Sequence, residues 1–173
     1  MPTRNTRHHQ GTPALVLLSA RGIPHTIHEF ASESEGPDDH VDYGLEAAAA
    51  MGVDPSAVFK TLVWTSDTSQ APAMFLALVP VNARVSAKLL ASVAGVKKVS
   101  LATREIAERL SGSVVGAICP LGMRHTLPVV IDSSARDVEQ LFVSAGRRGL
   151  EICLNPEDLI EATNATVASI ATS

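Results

Sequence analysis

Residues 112–132, GSVVGAICPLGMRHTLPVVID, form the stretch from which the fold of this chain can be worked out. A pair of β-branched valines ends at Gly116, and the turn formers Pro120 and Gly122 follow. A second β-branched run then occupies 129–131. β-branched runs separated by turn formers are typical of strands joined by a loop. The stretch therefore predicts a strand, a tight loop and a second strand.

The loop inside this predicted hairpin has two interpretations. Gly116 lacks a Cβ, so a ligand can approach its backbone closely and meet its N–H group. Pro120 fixes its own φ angle and stiffens the far end of the loop. A rigid loop with exposed N–H groups suits an oxyanion or a phosphate, whereas ordinary turn chemistry needs no ligand. The pattern alone leaves both open.

Composition indicates a single domain with an aliphatic core. The chain has 173 residues, of which 46% are hydrophobic but only 3% aromatic. This length is sufficient for one sizeable core, and so few aromatic residues argue against a stacking platform for single-stranded nucleic acid. Residues 1–11 are polar and basic, so we expect a flexible tail there and one domain over 12–173.

The charge of the chain is unevenly distributed. The net charge is −4, yet 29–54 contains eight acidic residues and no Lys or Arg. A pI near 5.8 argues against a general DNA-binding coat, but one basic face could still meet a phosphate-rich ligand. The acidic segment 31–42 is either a lid over a pocket or a solvated insertion, and we favour the insertion. The candidate basic pairs are Lys97-Lys98, Arg124-His125 and Arg147-Arg148.

Nothing in the sequence predicts a metal, a cofactor or a membrane segment. Cys119 and Cys153 have no metal-site spacing. His25 and His28 fall on opposite faces of a predicted strand, so they do not form a zinc pair. The apolar run 14–20 is too short to span a membrane. We expect a cytoplasmic protein with free thiols.

Alternating helix and strand signals predict an α+β fold with a mixed sheet. The first helix should bury a stripe of Leu15, Val16 and Leu18. The strands over 58–65 and 73–79 should form a hairpin. Predicted helices cover 12–21, 44–51, 86–94, 103–112 and 155–162, with a helical turn after Asp132, and the other predicted strands cover 25–30, 97–101, 140–144, 149–154 and 166–170.

Lys60 stands out on the predicted strand 58–65. It shares a strand face with Val58, Leu62 and Trp64, which are apolar. A lysine in this setting either extends to water along a sheet edge or places a positive charge inside a cleft for an anion. The pattern does not choose between these alternatives.

Several stretches, in their order along the chain, resemble the YbaK family of aminoacyl-tRNA deacylases. They are VFKTLV around Lys60, SGSVVGAICPLG with GxxxP at 116–120, and LFVSAGRRGLEI around Ser144, together with TPALVLL and LPVVID. This family shares its domain with the editing insertion of bacterial prolyl-tRNA synthetases. The resemblance covers about 12–171 and is closest to the branch that clears Cys-tRNA(Pro).

The resemblance implies a partly barrel-like, mixed β-sheet flanked by helices, and it implies a site. Backbone N–H groups of the Gly116 loop would meet the ester carbonyl, and Lys60 would supply positive charge for the carbonyl or the terminal phosphate. Ser144 would hydrogen-bond the substrate amine or ribose. The implied catalytic residues are Lys60 and Gly116, and the implied substrate-binding residues are Phe30, Ala117, Ile118, Cys119, Pro120, Ser144 and Glu151.

The implied chemistry is substrate-assisted. The thiol of the bound cysteine would attack its own ester carbonyl, form a thiolactone and release the tRNA, so no cofactor and no Ser-His-Asp set is needed. The tRNA acceptor end would be the partner, with prolyl-tRNA synthetase as a second one. The alternatives are water-mediated deacylation of Ala-tRNA or another small misacylated tRNA, and a non-catalytic module that binds a tRNA end or an aminoacyl-nucleotide.

Two departures from the family pattern, at Phe30 and Glu151, bear on the fine substrate preference, and Cys119 is a further difference inside the GxxxP loop. Phe30 stands where a tyrosine is usual, so a pocket hydroxyl is missing. Glu151 stands where an aspartate is usual, so its carboxylate reaches one methylene further. Cys119 stands where the branch often has serine; its thiol is either a nucleophile or a buried bystander, and we favour the bystander.

Overall fold

The structure is a computed structural model that describes residues 11–33, 42–67 and 73–173. The predicted tail 1–11, apart from Gly11, and most of the acidic segment 31–42 lie outside these residues, so both predictions remain predictions. Within the described ranges, no helix combines the length and the apolar character needed to cross a membrane.

The α+β prediction is confirmed, and helices and strands alternate irregularly along the chain. The helices are α1 (Pro13–Ala20), α2 (Tyr43–Met51), α3 (Ala87–Ala94), α4 (Arg104–Ser111) and α5 (Pro156–Thr163). The strands are β1 (His25–Glu29), β2 (Phe59–Ser66), β3 (Met74–Pro80), β4 (Arg84–Val85), β5 (Val99–Leu101), β6 (Val129–Asp132), β7 (Leu141–Arg147), β8 (Leu150–Leu154), β9 (Thr166–Ala168) and β10 (Ala171–Thr172). Short 3₁₀ turns occupy Pro55–Ala57 and Ser133–Asp137.

Side-chain caps define where the five helices begin. Each helix follows a residue whose side-chain oxygen accepts a backbone N–H from the first turn. These caps are Thr12, Asp42, Ser86, Thr103 and Asn155. The predicted burial of α1 is partly wrong, because Val16 is 54% exposed and Ala14 is buried with Leu15 and Leu18. Ala14 and Leu18 are four residues apart and share a helix face, which Val16 does not.

Two principal sheets meet at one point. The five-stranded sheet has the order β5-β2-β3-β6-β9, with β2 antiparallel to β3 and to β5, and with β6 parallel to both neighbours. The antiparallel sheet β1-β8-β7 is joined to it by a parallel bridge between Val58 and Phe142. β4 pairs with β10. The two sheets are thus joined at this bridge, and they do not close into a barrel among the described residues.

The predicted hairpin within 112–132 is wrong in its first half. Only β6 is a strand, and it pairs in parallel with β3 through Leu76 and Val129. Val115 donates its N–H to a carboxylate oxygen of Glu108, and Ala117 donates its N–H to the carbonyl of Val114. Because these donors are satisfied locally, the β-branched pair forms an irregular loop rather than a strand.

The core is aliphatic, as the composition predicted. The main cluster of buried residues draws on α1, β2, β3, β6, β7, β8 and α5, and Phe59 is its one buried aromatic side chain among the described residues. A second cluster lies under α3. A small third cluster, formed by Ala48, Val58, Val81, Phe142 and Cys153, attaches α2 to the two sheets near their bridge.

Asp132 ties the C-terminal segment to the end of β6. Its Oδ1 accepts the N–H groups of Ile170 and Ala171, each at 2.9 Å, and its Oδ2 accepts the N–H of Ser134 at 3.1 Å. The side chain of Asp132 also caps the short 3₁₀ turn that follows it, where the sequence predicts a helical turn. Burial raises the pKa of the Asp132 carboxyl, but the hydrogen bonds from these three residues outweigh burial and hold the pKa below its ordinary value.

We predict that Asp132→Ala destabilises the fold by about 2–4 kcal/mol, because two N–H groups at the C-terminal segment lose their acceptor. Urea denaturation at pH 7 measures this loss. Since the folded-state pKa of Asp132 is lowered, its contribution to the free energy of unfolding is present above about pH 4. That contribution disappears as the pH falls through the folded-state pKa. Asp54→Ala is the control, because Asp54 is itself exposed and caps a 3₁₀ turn that has no buried residue; an equal loss in both variants would contradict the prediction.

Candidate active site

A cavity of about 540 Å³ opens between β2 and the Gly116 loop. Its volume falls in the range of roughly 300–1,000 Å³ that is typical of small-ligand sites. Five of the predicted site residues line it: Lys60, Gly116, Ile118, Ser144 and Glu151. Other lining residues include Tyr43, Phe59, Thr61, Val63, Ala102, Arg104, Ala107 and Val115.

The cavity exists because β2 and β7 touch and then separate. Val58 and Phe142 form the parallel bridge, and two residues further along each strand are Lys60 and Ser144. No ladder continues between the two strands among the described residues, so these side chains face a gap instead of a neighbouring strand. Ser144 lies directly opposite Glu151 on β8. Directly opposed residues of antiparallel strands project from the same face, so both reach the cavity.

The Gly116 loop is held in place by contacts from distant elements. The backbone φ angle of Gly116 is +89°, and a Cβ built there would lie 2.4 Å from Cδ2 of Tyr43. The guanidinium carbon of Arg148 lies 4.1 Å from the centre of the Tyr43 ring, and the same side chain donates to the carbonyl of Val115 at 2.9 Å. The carboxylate of Glu108 accepts the N–H of Val115. Only glycine fits beneath the Tyr43 ring in this conformation.

Two backbone donors of the loop remain available to a ligand. The N–H groups of Gly116 and Ile118 form no hydrogen bond within the described part of the chain. Ala117 differs, because its N–H is bonded to Val114 and its carbonyl accepts the hydroxyl of Ser144 at 3.0 Å. Gly116 and Ile118 both line the cavity, and unbonded backbone N–H groups beside a cavity suit a developing oxyanion.

Cys119 and Pro120 lie on the other side of the loop and do not line this cavity. Both are buried, and Cys119 instead faces a second cavity of about 320 Å³ that Pro13 and Arg124 also line. Burial raises the pKa of the Cys119 thiol to about 12. A thiol that stays protonated at neutral pH is a poor nucleophile, which favours the bystander interpretation. Cys153 is buried as well.

Ser144 positions the loop and keeps one acceptor site. Its hydroxyl donates to the carbonyl of Ala117 and accepts the N–H of Gly146 at 3.3 Å. A serine hydroxyl has one donor and two acceptor positions. Toward a ligand, Ser144 therefore has acceptor capacity only, which matches an amine or a hydroxyl donor.

Lys60 is half-buried at the cavity wall. Desolvation lowers the pKa of its ammonium group; the charge of Asp42 opposes this shift, and that of Arg84 adds to it. Of the two interpretations that the sequence left open, this placement favours a positive charge in a cleft over an extended surface lysine. A partly desolvated cation interacts more strongly with an anion than a hydrated one.

Glu151 is a buried carboxyl without a full set of partners. It is 7% exposed, and its Oε2 has no hydrogen-bond partner among the described residues. Burial raises the pKa of Glu151 to about 8. A carboxyl that exchanges a proton near neutral pH is suited to acid–base chemistry or to binding a cation.

Phe30 lies next to the cavity rather than in it. It borders a hollow of about 10 Å³ that Tyr43, Gly116 and Glu151 also line. Sequence reasoning missed Tyr43, Glu108 and Arg148, which hold the loop from other elements. The signals available in the sequence were the single tyrosine of the chain and the basic pair 147–148.

Comparison with known proteins gives consistent matches. A family model described as "Aminoacyl-tRNA editing domain" matches residues 40–162. An Enterococcus faecalis protein named "Putative Cys-tRNA(Pro)/Cys-tRNA(Cys) deacylase EbsC" is 31% identical over 163 residues, which is 94% of each chain. A crystal structure of a "putative trans-editing enzyme for prolyl tRNA synthetase" has a TM-score of 0.77 at 22% identity and covers 100% of both chains. That of the hypothetical protein APE2540 has a TM-score of 0.80 at 24% identity, covering 92% of this chain and 99% of the other. The two structures support the fold alone.

We predict that Gly116→Ala destabilises the protein by about 2–4 kcal/mol, because the methyl group collides with Tyr43 in a backbone conformation that alanine disfavours. Gly52→Ala is a matched control: Gly52 also has a positive φ, of +66°, but a Cβ there meets nothing within 4 Å. Thermal denaturation compares the two. Adding Tyr43→Ala to Gly116→Ala should recover part of the stability that Gly116→Ala loses. Equal losses of stability in Gly116→Ala and Gly52→Ala would refute the steric explanation.

We also predict that Glu151 makes the protein less stable as the pH rises. An acid whose pKa is raised in the folded state makes its full contribution to the free energy of unfolding below its unfolded-state pKa, near 4.5. This contribution is lost as the pH rises through the folded-state pKa of about 8. Glu151→Gln should flatten this decline, which we expect to be roughly 3–5 kcal/mol. Denaturant titrations from pH 4.5 to 8.5 test this, with the exposed Glu157→Gln as control. A Gln variant with the wild-type slope would disprove the assignment.

Proposed function

The chain belongs to the aminoacyl-tRNA editing domain family, and from this membership we propose that it is a trans-editing deacylase that clears Cys-tRNA(Pro). The observation that carries the proposal is the convergence of an ammonium group, two unbonded backbone N–H groups and a buried carboxyl on one cavity. The substrate would be the aminoacyl ester at the tRNA acceptor end. Prolyl-tRNA synthetase would be a second partner, supplying tRNA selectivity.

Stabilisation of the oxyanion is the first role of the site. Cleavage of an ester builds negative charge on the carbonyl oxygen, and donors already in place at that oxygen lower the barrier. The N–H groups of Gly116 and Ile118 are such donors. The ammonium group of Lys60 lies on the facing wall and supplies charge to the same oxygen or to the terminal phosphate.

The nucleophile would come from the substrate. The sulfur of the bound cysteine forms a bond to its own carbonyl carbon, the ester C–O bond breaks, and the thiol proton passes to the departing ribose oxygen. The products are a thiolactone and free tRNA, so atoms and charge balance without a protein nucleophile. Glu151 is suited to relay that proton, and the thiol of Cys119 stays protonated and outside the cavity.

A second candidate is water-mediated deacylation of Ala-tRNA. The hollow beside Glu151 has a volume of about 10 Å³, which is close to the minimum for one water molecule. A water there would lie within reach of a carboxyl that ionises near neutral pH. Glu151 would then act as a general base, and the substrate would need no thiol.

We predict that Lys60→Ala lowers deacylation of Cys-tRNA(Pro) by about 100- to 1,000-fold, the usual effect of removing one oxyanion-stabilising group. Lys60→Arg keeps the charge and should retain part of the activity. Unfolding temperatures confirm that both variants are folded. If the wild-type protein binds acylated tRNA without shortening the lifetime of the ester, the chain is a binding module and the proposal is wrong.

Substrates that differ only in the group on the β-carbon of the amino acid distinguish the two chemical routes. Cys-tRNA(Pro), Ser-tRNA(Pro) and Ala-tRNA(Pro) are incubated with the wild-type protein under identical conditions. The thiol route predicts turnover of the cysteinyl ester and little turnover of the other two. Comparable turnover of the seryl or alanyl ester would replace this route with the water-mediated one.

A further inference from the structure

We propose that Arg148 is a positioning residue for the reaction, because it holds the peptide group whose N–H belongs to Gly116. This inference rests on the proposed function and deepens it. The side chain of Arg148 donates to the carbonyl of Val115 at 2.9 Å. Val115 and Gly116 line the cavity of about 540 Å³, whereas Arg148 borders the small hollow beside it. Arg148 thus acts on the reaction through the loop and not by touching the reacting atoms.

The carbonyl that Arg148 holds and the N–H of Gly116 are two ends of one peptide group. A trans peptide is planar, so its C=O and its N–H point in opposite directions. The N–H of Gly116 forms no hydrogen bond within the described residues, so no bond of its own sets its direction. A donor that fixes the carbonyl of Val115 therefore fixes the direction of this N–H as well.

The charge of the guanidinium also strengthens the Gly116 N–H as a donor. Hydrogen bonds that follow one another through a peptide group polarise each other, and a charged donor does so more than a neutral one. Electron density drawn toward the carbonyl oxygen of Val115 leaves the N–H of the same peptide more positive. Such a donor suits an oxygen that gains negative charge as the ester is cleaved.

Arg148 is itself held by its surroundings. Its guanidinium carbon lies 4.1 Å from the centre of the Tyr43 ring, and the same ring covers Gly116. The next residue, Gly149, accepts the N–H of Phe30 at 2.9 Å, which ties the turn between β7 and β8 to the end of β1. The guanidinium is therefore in place before a substrate binds.

The adjacent arginine offers a matched control. Arg147 has an exposed side chain, and its guanidinium meets the exposed carboxylate of Glu29 at 3.3 Å. Exposed ion pairs of this kind contribute little to stability. Replacing Arg147 removes the same charge from the same turn as replacing Arg148, but it leaves the bond to the carbonyl of Val115 intact.

Steady-state kinetics with Cys-tRNA(Pro) test the inference. Arg148→Met keeps an unbranched side chain against Tyr43 but loses the donors. We expect kcat to fall about 10- to 100-fold, less than when an oxyanion donor is removed outright, while KM stays within about threefold because the contact acts in the transition state. Arg148→Lys keeps a charged donor and should recover part of kcat. Arg147→Met should leave both constants within about twofold of the wild type.

The amide resonance of Gly116 gives a readout that does not depend on catalysis. The chemical shift of an amide nitrogen responds to a hydrogen bond on the carbonyl of the preceding residue. The nitrogen resonance of Gly116 should therefore move in Arg148→Met and stay in place in Arg147→Met. A purely structural role for Arg148 would instead lower the unfolding temperature and the fraction of active protein, without moving this resonance in the folded fraction.

Three results would overturn the inference: an unchanged kcat in Arg148→Met, a Gly116 resonance that does not move in that variant, or a raised KM with an unchanged kcat. The last result would mean that Arg148 binds the tRNA uniformly and does not position the loop. The proposed function fails in a different measurement, in which the wild-type protein leaves every mischarged tRNA intact. The Gly116 resonance then still decides whether Arg148 controls this peptide group.

Discussion

The separation of β2 from β7 beyond the Val58–Phe142 bridge is the constraint on which the rest of the structure depends. A continuous ladder would place Lys60 and Ser144 against each other and leave no room for a ligand. Because the strands part, the free edge of β2 faces the Gly116 loop across a cavity. The bridge itself is packed by the small cluster under α2, and two members of that cluster, Val58 and Val81, also line the cavity.

The Gly116 loop is held by tertiary contacts in addition to its own hydrogen bond from the Ala117 N–H to the carbonyl of Val114. Glu108 holds one peptide group, Arg148 and Ser144 hold two carbonyls, and the ring of Tyr43 covers the glycine. Donors that are fixed before the substrate arrives need no reorganisation during the reaction, which is where such sites gain most of their catalytic effect. A flexible loop with the same sequence would lack this advantage.

Local signals in the sequence predicted most of the fold but only part of the site. Caps and glycine stops act within a few residues, so the helices were placed correctly. The strand expected at Val114 and Val115 failed because Glu108, from a preceding helix, satisfies the backbone there. Tyr43 and Arg148 lie far apart in the chain and meet only after folding, so no spacing could reveal them. The family resemblance supplied Lys60 and Ser144, and the structure adds that they line one cavity.

The buried oxygens of Thr61 and Glu151 show how the site differs from the core around it. In a core selected only for stability, both positions would carry apolar side chains or paired groups, because an unpaired buried oxygen weakens the fold. Here both line the same cavity, one on the apolar β2 face and one opposite Ser144. The two oxygens have almost no accessible surface, so neither solvent nor any group of the described residues compensates them in the free protein. Polar atoms left unpaired beside one cavity, together with a carboxyl whose pKa burial raises to about 8, are typical of a functional site and not of a core.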